Sequence, residues 1–549
     1  MNEKNKPFFI LFLALALAVN FAGINLKFFT DDPGLYASIA KNLLYRKQIF
    51  ELFTYNHDWL DKPHFPFWMA LLSFKLFGVS VWAYRLPALI FFMLGLLYTW
   101  LFAKKFYGAE IAWIAVLILS TSQHVMMSNT DVRAEPYLLA LIIGSIYHIS
   151  RLQHRYTYYD LFLAGVLSGC AVMTKGIFVV VPIYGALLGQ LTFQKKFFHI
   201  FHPRWILLFL STAIFTFPEF YALYIQFDLH PEKIVFHKHN VSGIKWFLWD
   251  SQFGRFANNG PITRQAGDVF FYLHTLLWAF APWCLVFYYA VYKNIKAILL
   301  KTKLEEYYTL SGGLLLLLLF SLSGFQLPFY TNAIFPLFAI ITAPFCYRQL
   351  SQAGTIYRSL SLWGYIILLP VALLVLHYFL KPASSLFFII DCAGFAVVTL
   401  LIFAKADTPQ LKAFFMACTA VLFVNFYLNT VFYNEVVNYK GEIKAADYID
   451  QKLFDNYHIY VLSDENNVFQ FYANKPIDLI SPADFNTFKP LQPSAFYVNH
   501  RSMDSLIANH ADFKVIKAFQ NYPRESIMPA FINKATRANM LDSVYLISK

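Results

Sequence analysis

Some charged residues of this chain stand in segments where charge is costly. The stretch WLDKPHFPFW, residues 59–68, places Asp61 and Lys62 among prolines and aromatic residues, in a chain that is 58% hydrophobic and 14% charged. Carboxylates can take up protons during a reaction, and lysine or arginine can hold an anion. Charges at the edge of a membrane or within it are rare because they are expensive, so such residues indicate a functional site.

The other candidates are spread over most of the chain, and each has a structural alternative. Asp32 or Asp131 could simply cap a helix. Lys175 could belong to a plain turn, and Lys62 could extend its ammonium group to the membrane surface. The whole set is Asp31, Asp32, Asp61, Lys62, Asp131, Arg133, Glu135, Lys175, Arg255, Gln326 and Tyr330.

Histidines near Asp61 raise the question of a metal site. His57 and His64 flank this aspartate, and the stretch FHKHN contributes His237 and His239. Histidine and carboxylate groups bind zinc, but histidines of a polar loop are more often solvated. A divalent metal held by Asp61 with His64 or His239 stays open as an alternative. The five cysteines lie in apolar segments without paired spacing and are interpreted as packing residues.

The elements that must position these residues are membrane helices. Soluble proteins carry about a quarter charged residues, well above the proportion here, and the mean hydropathy is +0.48. The apolar run 8–26 is long enough to cross a hydrocarbon core of roughly 30 Å. No clear small-residue cleavage site follows it, so it is interpreted as a retained first span. The predicted fold class is a polytopic α-helical membrane protein.

Hydropathy predicts about thirteen transmembrane helices. Two long loops, 27–80 and 227–268, and a polar tail, 433–549, lie between or after them. The tail contains the β-rich runs HIYVLS, AFYVNH, FKVIKAF and SVYLIS among helical patterns, which predicts a small α/β domain. The domain division is therefore 1–432 and 433–549. The spans fall near 8–26, 81–102, 109–125, 136–150, 160–173, 177–193, 205–226, 269–291, 309–323, 329–346, 359–379, 384–404 and 412–432.

Lysine and arginine are distributed unevenly between the two sides of these spans. With a cytoplasmic N-terminus, connections on that side hold seventeen of them, and the four short connections opposite hold three. The positive-inside rule then places both long loops, the tail and the candidate residues outside. The same bias explains the net charge of +12, so nucleic acid is not expected as a partner. In the first loop, Leu35, Ile39 and Leu43 repeat at helical spacing and predict a helix at the membrane surface.

The order of the motifs along the chain carries a family resemblance. DDPGLYASIAKNLL is followed by DKPHFPFWMALLSFKLFG, AYRLP, NTDVRAEPYLLAL, MTKGIFVVVP, GRFANN with GDVFFYLHTLLWAFAPW, and GFQLPFYTNAIFPLFAI. This series resembles the polyprenyl-phosphate-sugar-dependent glycosyltransferases of the GT-C superfamily. The most similar branch holds the lipid A aminoarabinose transferases and the dolichyl-phosphate-mannose–protein mannosyltransferases. The resemblance covers residues 8–432 and implies an outward cavity that a lipid-linked sugar enters from the membrane.

The resemblance also implies which carboxylates are catalytic. The acidic residue of the family, four residues before a tyrosine, matches Asp32 before Tyr36. The second acidic position matches Asp131. Pro33 replaces the other half of the family's acidic pair, and Asp31 is expected to supply that carboxylate instead.

The donor phosphate is expected to lie among cations and polar groups. The acidic residue and lysine of the family's first-loop motif match Asp61 and Lys62, while His64 replaces a common proline. Gln326 stands where the family has a lysine, which removes a positive charge. The expected phosphate-binding set is Lys62, Arg255, Arg85, Lys175, Gln326 and Tyr330.

The chemistry expected of such a site is a single displacement with inversion at the anomeric carbon. A lipid phosphate leaves as a stable anion, so positive charge beside it helps more than a proton donor. A hydroxyl acceptor needs a base, which would be Asp32 with Asp131 assisting. Neither a nucleotide nor a divalent metal is required.

The predicted function is therefore an inverting glycosyltransferase of a bacterial inner membrane, with its active site and tail in the periplasm. An undecaprenyl-phosphate-linked sugar is the expected donor. Lipid A is the first candidate acceptor, modified with 4-amino-4-deoxy-L-arabinose, and the alternative is a mannosyl or hexosyl transferase acting on protein or surface glycan. A lipid-linked-sugar transporter would need polar residues deep within the spans, where only Glu219 and His377 stand out. A scaffold would depend on the tail alone.

Overall fold

Helices form most of the chain before the tail. The computed structural model describes residues 6–264, 267–462, 465–490 and 492–549. The α-helices before the tail and at its start are Lys6–Ala22, Asp31–Arg46, Phe65–Phe77, Val81–Tyr107, Ala109–Ser120, Gln123–Thr130, Glu135–His154, Tyr158–Lys175, Val180–Phe193, Pro203–Leu223, Gly243–Lys245, Ser251–Ala257, Phe271–Ala279, Cys284–Leu299, Tyr308–Leu322, Phe335–Tyr347, Gln352–Leu380, Leu386–Lys405, Pro409–Tyr427 and, within the tail, Tyr433–Val437.

The membrane class is confirmed, while the number of spans stays a prediction. Among the described residues, six helices are long and apolar enough to cross a membrane, and counting a bent pair as one span makes seven. Shorter apolar helices, such as Lys6–Ala22 and Tyr308–Leu322, occupy other predicted spans. The chain is therefore a multi-pass α-helical membrane protein.

Breaks in three of the predicted spans lie close together in the fold. The third bends by 55° between Ala109–Ser120 and Gln123–Thr130. The eighth consists of two helices, Phe271–Ala279 and Cys284–Leu299, and the tenth begins as the 3₁₀ helix Pro328–Ile334. Irregular backbone at membrane depth is tolerated where it lines a cavity or lies buried in protein. All three breaks contribute walls to one cavity, described below.

Close helix packing sets the position of Lys175. The helix Tyr158–Lys175 carries Gly165 and Gly169 four residues apart, and a Cβ added at Gly169 would lie 2.7 Å from Phe215 Cβ. Small residues at this spacing let membrane helices approach closely. Gly176, with φ of +101°, then ends the helix in a conformation that other residues rarely adopt.

The aspartates that could have been N-caps have other positions. Thr30 is the N-cap of Asp31–Arg46, so Asp32 lies in the first turn. Ala134 precedes the helix that follows Asp131. The capping alternative is therefore wrong for both aspartates, and their carboxylates are free for other partners.

The tail is a small α/β domain, as predicted. Its five-stranded sheet has the spatial order Ile477–Leu479, His458–Val461, Ser494–Val498, Asp542–Ser548 and Lys514–Asn521. The first two pairings are parallel and the last two antiparallel. Four strands coincide with the β-rich runs, and Ile477–Leu479 was not expected. Its helices are Gly441–Ile449, Asn467–Tyr472, His500–Ala508 and Pro529–Ile532.

The tail packs directly on the helix Asp31–Arg46. Lys41 donates hydrogen bonds to three carbonyls at the end of the tail helix Asn467–Tyr472, those of Gln470, Phe471 and Ala473, at 2.5–3.1 Å. Lys41 thereby satisfies carbonyls that a helix end leaves without partners.

The apolar face of Asp31–Arg46 packs against other parts of the protein. Ile39 and Leu43 are 0% and 2% exposed within the protein core. The amphipathic spacing is thus satisfied by protein packing instead of lipid, and the position of the helix at the membrane surface stays a prediction.

Candidate active site

Asp61, Lys62 and Arg255 form a first cluster of charged side chains. Asp61 and Lys62 stand just before the helix Phe65–Phe77, and Arg255 lies in Ser251–Ala257 of the second long loop. The Asp61 carboxylate accepts a hydrogen bond from Lys62 Nζ at 2.6 Å through Oδ2 and is ion-paired with Arg255 through Oδ1. These side chains are 18–20% exposed, so a ligand can reach them.

Burial and neighbouring charges shift the pKa values of the first cluster. Burial acts to raise the pKa of Asp61, but Lys62 and Arg255 outweigh it and hold that pKa below its usual value. Burial lowers the pKa of Lys62 to about 8; the Arg255 charge adds to this shift and Asp61 opposes it. For Arg255, burial acts to lower the pKa, but the Asp61 charge raises it above its usual value. The Lys62 ammonium is thus the group here whose charge is lost just above neutral pH.

Asp32, Asp131 and Arg133 form a second cluster. Arg133 donates from Nε and Nη2 to Asp131 Oδ2 at 3.2 and 2.9 Å, and its Nη1 pairs with Asp32 Oδ2. Thr30 donates to the other oxygen of Asp131. The guanidinium fork suits this double pairing. Asp32 is 42% exposed and Asp131 only 22%, so the Asp32 carboxylate is the more accessible of the two.

Two aromatic rings and a buried ion pair lie beside the second cluster. Lys175 is ion-paired with Glu135. Its ammonium lies 4.2 Å from the ring centre of Tyr330 and 5.3 Å from that of Phe329. The Arg133 guanidinium lies 4.5 Å from the centre of the same Phe329 ring. These are cation–π distances, and they connect the second cluster to Lys175 through one aromatic side chain.

Two cavities meet at the Phe329–Tyr330 pair. The apolar cavity, on the Tyr330 side, has a volume of about 330 Å³. The acidic cavity, on the Phe329 side, has a volume of about 410 Å³. Both volumes lie in the range of small-molecule sites. Among the residues lining the apolar cavity are Lys175, Phe178, Val181, Arg255, Phe320 and Tyr330. The acidic cavity is lined by Asp131, Arg133, Glu135, Trp278, Phe329 and Glu525, among others.

Arg85 is not part of either cluster. It is 1% exposed, and its guanidinium donates to the backbone carbonyls of Thr130, Ile24 and Leu26. The expectation that Arg85 contacts the donor phosphate therefore does not fit its position. It anchors the segment after the first helix to the segment that carries Asp131.

Gln326 and Asp31 also have other partners. The Gln326 amide donates to the carbonyls of Asp268, Ser321 and Phe320 at 3.1–3.4 Å, which ties the second long loop to a membrane helix. Asp31 accepts a hydrogen bond from Asn467 of the tail at 3.2 Å. Burial raises the pKa of Asp31 to about 6. We therefore assign neither residue to the reacting groups.

A buried pair, His64 and Glu219, lies behind the first cluster. Glu219 accepts a hydrogen bond from the His64 backbone N–H at 3.0 Å and lies 3.0 Å from Nδ1, while Nε2 lies 3.1 Å from the Phe50 carbonyl. The two side chains are 1% and 0% exposed. Because Nε2 must donate to that carbonyl, one further proton lies between Nδ1 and the carboxylate, and the pair is neutral overall. It fixes the backbone two residues after Lys62.

The residues proposed for a divalent metal do not fit one. Asp61 is occupied by two cations, His64 faces Glu219, and His239 Nδ1 lies 3.1 Å from the Glu232 carbonyl in an exposed loop. Within the described ranges, no three histidine, cysteine or acidic side chains group as metal ligands. No step below is assigned to a metal.

Several site residues carry no assigned role in the sequence analysis. Glu135 and Arg133 stand out there only as outward polar residues, and Phe329 and Trp278 look like ordinary aromatic residues of a membrane edge. Glu525 comes from the tail, and its local sequence contains no signal of a site. Acidic residues within apolar spans are such a signal, and it is present for Glu219.

Comparisons with known proteins agree on one superfamily. Residues 61–220 match the family described as dolichyl-phosphate-mannose-protein mannosyltransferase. The structure is similar to that of ArnT from Cupriavidus metallidurans bound to undecaprenyl phosphate, with a TM-score of 0.77 and 17% identity over 99% of this chain and 98% of that one.

Two sequence relatives match over part of their length. A protein of Aquifex aeolicus described as uncharacterized is 26% identical over 65% of this chain and 66% of its own length. The undecaprenyl phosphate-alpha-4-amino-4-deoxy-L-arabinose arabinosyl transferase of Edwardsiella ictaluri is 24% identical over 60% of this chain and 57% of its own length. Each match spans less than two thirds of the relative. Together with the fold shared with ArnT, these matches confirm the resemblance of the chain to the GT-C glycosyltransferases.

Proposed function

We propose that this protein is an inverting glycosyltransferase that moves a sugar from a polyprenyl phosphate to an acceptor at the outward face of the membrane. The observation that carries the proposal is the position of Phe329, whose ring contacts both Lys175 of the apolar cavity and Arg133 of the Asp32–Arg133–Asp131 cluster. Lys175 and Arg255 both line the apolar cavity. A lipid-linked sugar needs an apolar slot, cations at its phosphate and an adjacent base.

The donor lipid is proposed to occupy the apolar cavity. Its phosphate would lie between Arg255 and Lys175, with Lys62 close by, since these three cations act on one another electrostatically. Positive charge already in place stabilises the negative charge that develops on the leaving phosphate. Asp61 and Glu135 hold the cations in position before the donor binds. Undecaprenyl phosphate is the ligand of the ArnT structure, which supports this class of lipid.

The reaction is proposed as one displacement at the anomeric carbon. An acceptor oxygen forms the new glycosidic bond while the bond between that carbon and the phosphate oxygen breaks. The electron pair leaves with the lipid phosphate, and Asp32 takes the acceptor proton. The Asp32–Arg133 pair uses only Oδ2, so Oδ1 is without a hydrogen-bond partner among the described residues and is available as the base.

The acidic cavity is proposed to receive the acceptor. Its charged lining comprises three carboxylates and Arg133, and Arg133 is already paired with Asp131 and Asp32. A neutral hydroxyl is compatible with such walls, whereas an anionic group would be repelled. A hydroxyl is also the acceptor for which a base is useful. This favours a glycan or protein hydroxyl, or a hydroxyl of lipid A, over a phosphate group.

The identity of the transferred sugar is proposed from the similar proteins. The Edwardsiella enzyme points to 4-amino-4-deoxy-L-arabinose, and the matching family points to mannose as a second candidate. The membrane is proposed to be a bacterial inner membrane, with the site and tail in the periplasm. The basic residues of the opposite connections support this orientation.

Mass spectrometry of lipid A and envelope glycans, with and without the gene, tests the proposal. Loss of one sugar mass from one of these molecules, restored by the wild-type gene and not by Asp32→Asn, is the expected result. Identical spectra from both strains, with the protein expressed and the donor lipid present, would overturn it. Fusing a reporter to the tail tests the orientation, and a cytoplasmic tail would contradict it.

A further inference from the structure

Asp391 is a buried acid in a helix that the proposed reaction does not use. Its helix, Leu386–Lys405, is only 11% buried over its most apolar window. The Asp391 residue is nonetheless only 7% exposed, and its Oδ2 has no hydrogen-bond partner among the described residues. An unpartnered acid in an apolar setting costs free energy, and within a membrane such a residue indicates a functional site.

The acid faces a cleft, which we name the Asp391 cleft. It has a volume of about 200 Å³ and lies between the helices Lys6–Ala22, Leu386–Lys405 and Pro409–Tyr427. Its walls are almost entirely apolar, with Asp391 and Thr419 as the polar side chains. Gly394, one turn further along, leaves open space where a side chain would stand. The cleft is therefore a narrow apolar slot with an acid near one end.

We propose that the Asp391 cleft receives a lysine or arginine side chain from a transmembrane helix of a partner protein. Charge complementarity selects a cation or another strong donor for the Asp391 carboxyl group, which lines the cleft. The volume holds one long side chain with an aliphatic stem, but not a helix. The helix backbone of the partner would instead lie on the outer face of Leu386–Lys405, where Ile389, Val397 and Leu400 are 56–69% exposed.

The depth of Asp391 favours a helix over a lipid headgroup. Asp391 follows the start of its helix by five residues, which places it about 8 Å along the helix axis. A lipid amine stays with its phosphate at the membrane surface, whereas a partner helix can present a basic side chain at this depth. An unpaired basic residue of a partner helix is itself costly in lipid, so pairing with Asp391 would stabilise both charged groups.

Synthetic transmembrane peptides test the proposal without reference to sugar transfer. The full-length protein, labelled for energy transfer, is reconstituted in phosphatidylcholine vesicles with one of three leucine-rich peptides. One peptide carries a lysine about 8 Å below its outward end, one carries it at the centre, and one has leucine throughout. We expect the first to associate about tenfold more tightly than the other two, in line with polar contacts between membrane helices.

Two variants test whether Asp391 causes the preference for the first peptide. Asp391→Leu should remove the preference for the first peptide while the protein keeps its thermal stability, because leucine suits the apolar walls. Thr399→Val is the matched control. Like Asp391→Leu, it replaces a polar side chain whose buried oxygen has no described partner, on the same helix, by an apolar one, but Thr399 lies outside the cleft lining. It should leave the preference unchanged.

Three results would overturn the proposal. They are equal association of all three peptides, a preference that survives Asp391→Leu, and a preference that disappears when phosphatidylethanolamine is added. The last result would assign the cleft to a lipid amine. Because association is measured without donor or acceptor, failure here leaves the proposed glycosyltransferase activity untouched, and failure of that activity leaves the cleft untouched.

Discussion

Arg255 is ion-paired with Asp61 although 194 positions separate them in the sequence. The same carboxylate holds Lys62 at 2.6 Å. One acid therefore keeps two cations together that would otherwise repel each other, beside a cavity suited to a lipid chain. The two long loops meet through this contact, so the proposed phosphate site exists only when both loops are folded.

Replacing Asp32 by asparagine should abolish sugar transfer. The amide cannot take the acceptor proton, and loss of a general base costs about 10²–10⁴-fold in kcat. Transfer from a lipid-linked donor in membranes measures the effect. Asp31→Asn is the matched control, because Asp31 faces Asn467 of the tail, and it should lose far less than tenfold. Equal losses for the two variants would remove Asp32 from the role of base.

The use of donor should fall as pH rises through about 8. Below that pH Lys62 carries its positive charge, and above it the charge is lost, because burial lowers its pKa to about 8. The kcat/KM for donor reports this free-enzyme group. Asp61→Asn should move the decline to lower pH, since Asp61 acts to raise the Lys62 pKa.

The control for this pH effect is Lys62→Arg, which keeps its charge and should flatten the profile between pH 7 and about 9. A decline that persists in Lys62→Arg would assign the titration to another group. Unchanged donor use in Lys62→Ala would show that the lysine merely extends to the membrane surface.

Glu219→Ala should raise the KM for donor by about tenfold or more. It leaves the His64 backbone N–H and the ring Nδ1 without their buried partner, which costs roughly 1–3 kcal/mol each and frees the segment that carries Lys62. Glu219→Gln should retain most activity, since an amide can accept from the backbone N–H and donate to Nδ1. Thr216→Val on the same helix is the control. An unchanged donor KM in Glu219→Ala would contradict the positioning role.

Lys41→Met should weaken the attachment of the tail without touching the reacting groups. It leaves three carbonyls of the tail helix without their donor, and we expect a loss of about 2 kcal/mol in stability. Limited proteolysis and the thermal midpoint in detergent measure this loss. The exposed Lys75→Met is the control, and equal midpoints for the two variants would show that Lys41 contributes nothing.

Glu525→Lys should change the use of acceptor and leave the donor KM as it was. Glu525 lines the acidic cavity from the tail, and reversing its charge should make an anionic acceptor bind several-fold better. Glu232→Lys, in an exposed loop away from the cavity, serves as the control. A change in donor KM without any change in acceptor use would contradict the assignment of Glu525 to the acceptor cavity.

Much of the architecture can be predicted from sequence patterns, while the pairing of side chains within the site cannot. Long apolar runs predict helices because backbone polar groups in lipid must be satisfied within the segment. The four β-rich runs of the tail likewise predict four of its five strands. The short strand Ile477–Leu479 escapes notice because its pattern is too brief to distinguish from a loop. The breaks in three spans are also invisible to hydropathy, which records composition and not backbone direction.

The sequence by itself determined that this is a multi-pass membrane protein, and its motif order predicted the resemblance to the GT-C glycosyltransferases. It also singled out the charged residues of the candidate site. Hydropathy suffices for the membrane class, since lipid and water sort residues by type. Only the tertiary structure decided which of those residues face one another. It set Arg133 between Asp32 and Asp131, turned Arg85 to backbone carbonyls and brought Glu525 in from the tail. The physical reason is that a side chain's partner is chosen by the packing of segments far apart in the chain, and local spacing carries no record of that packing.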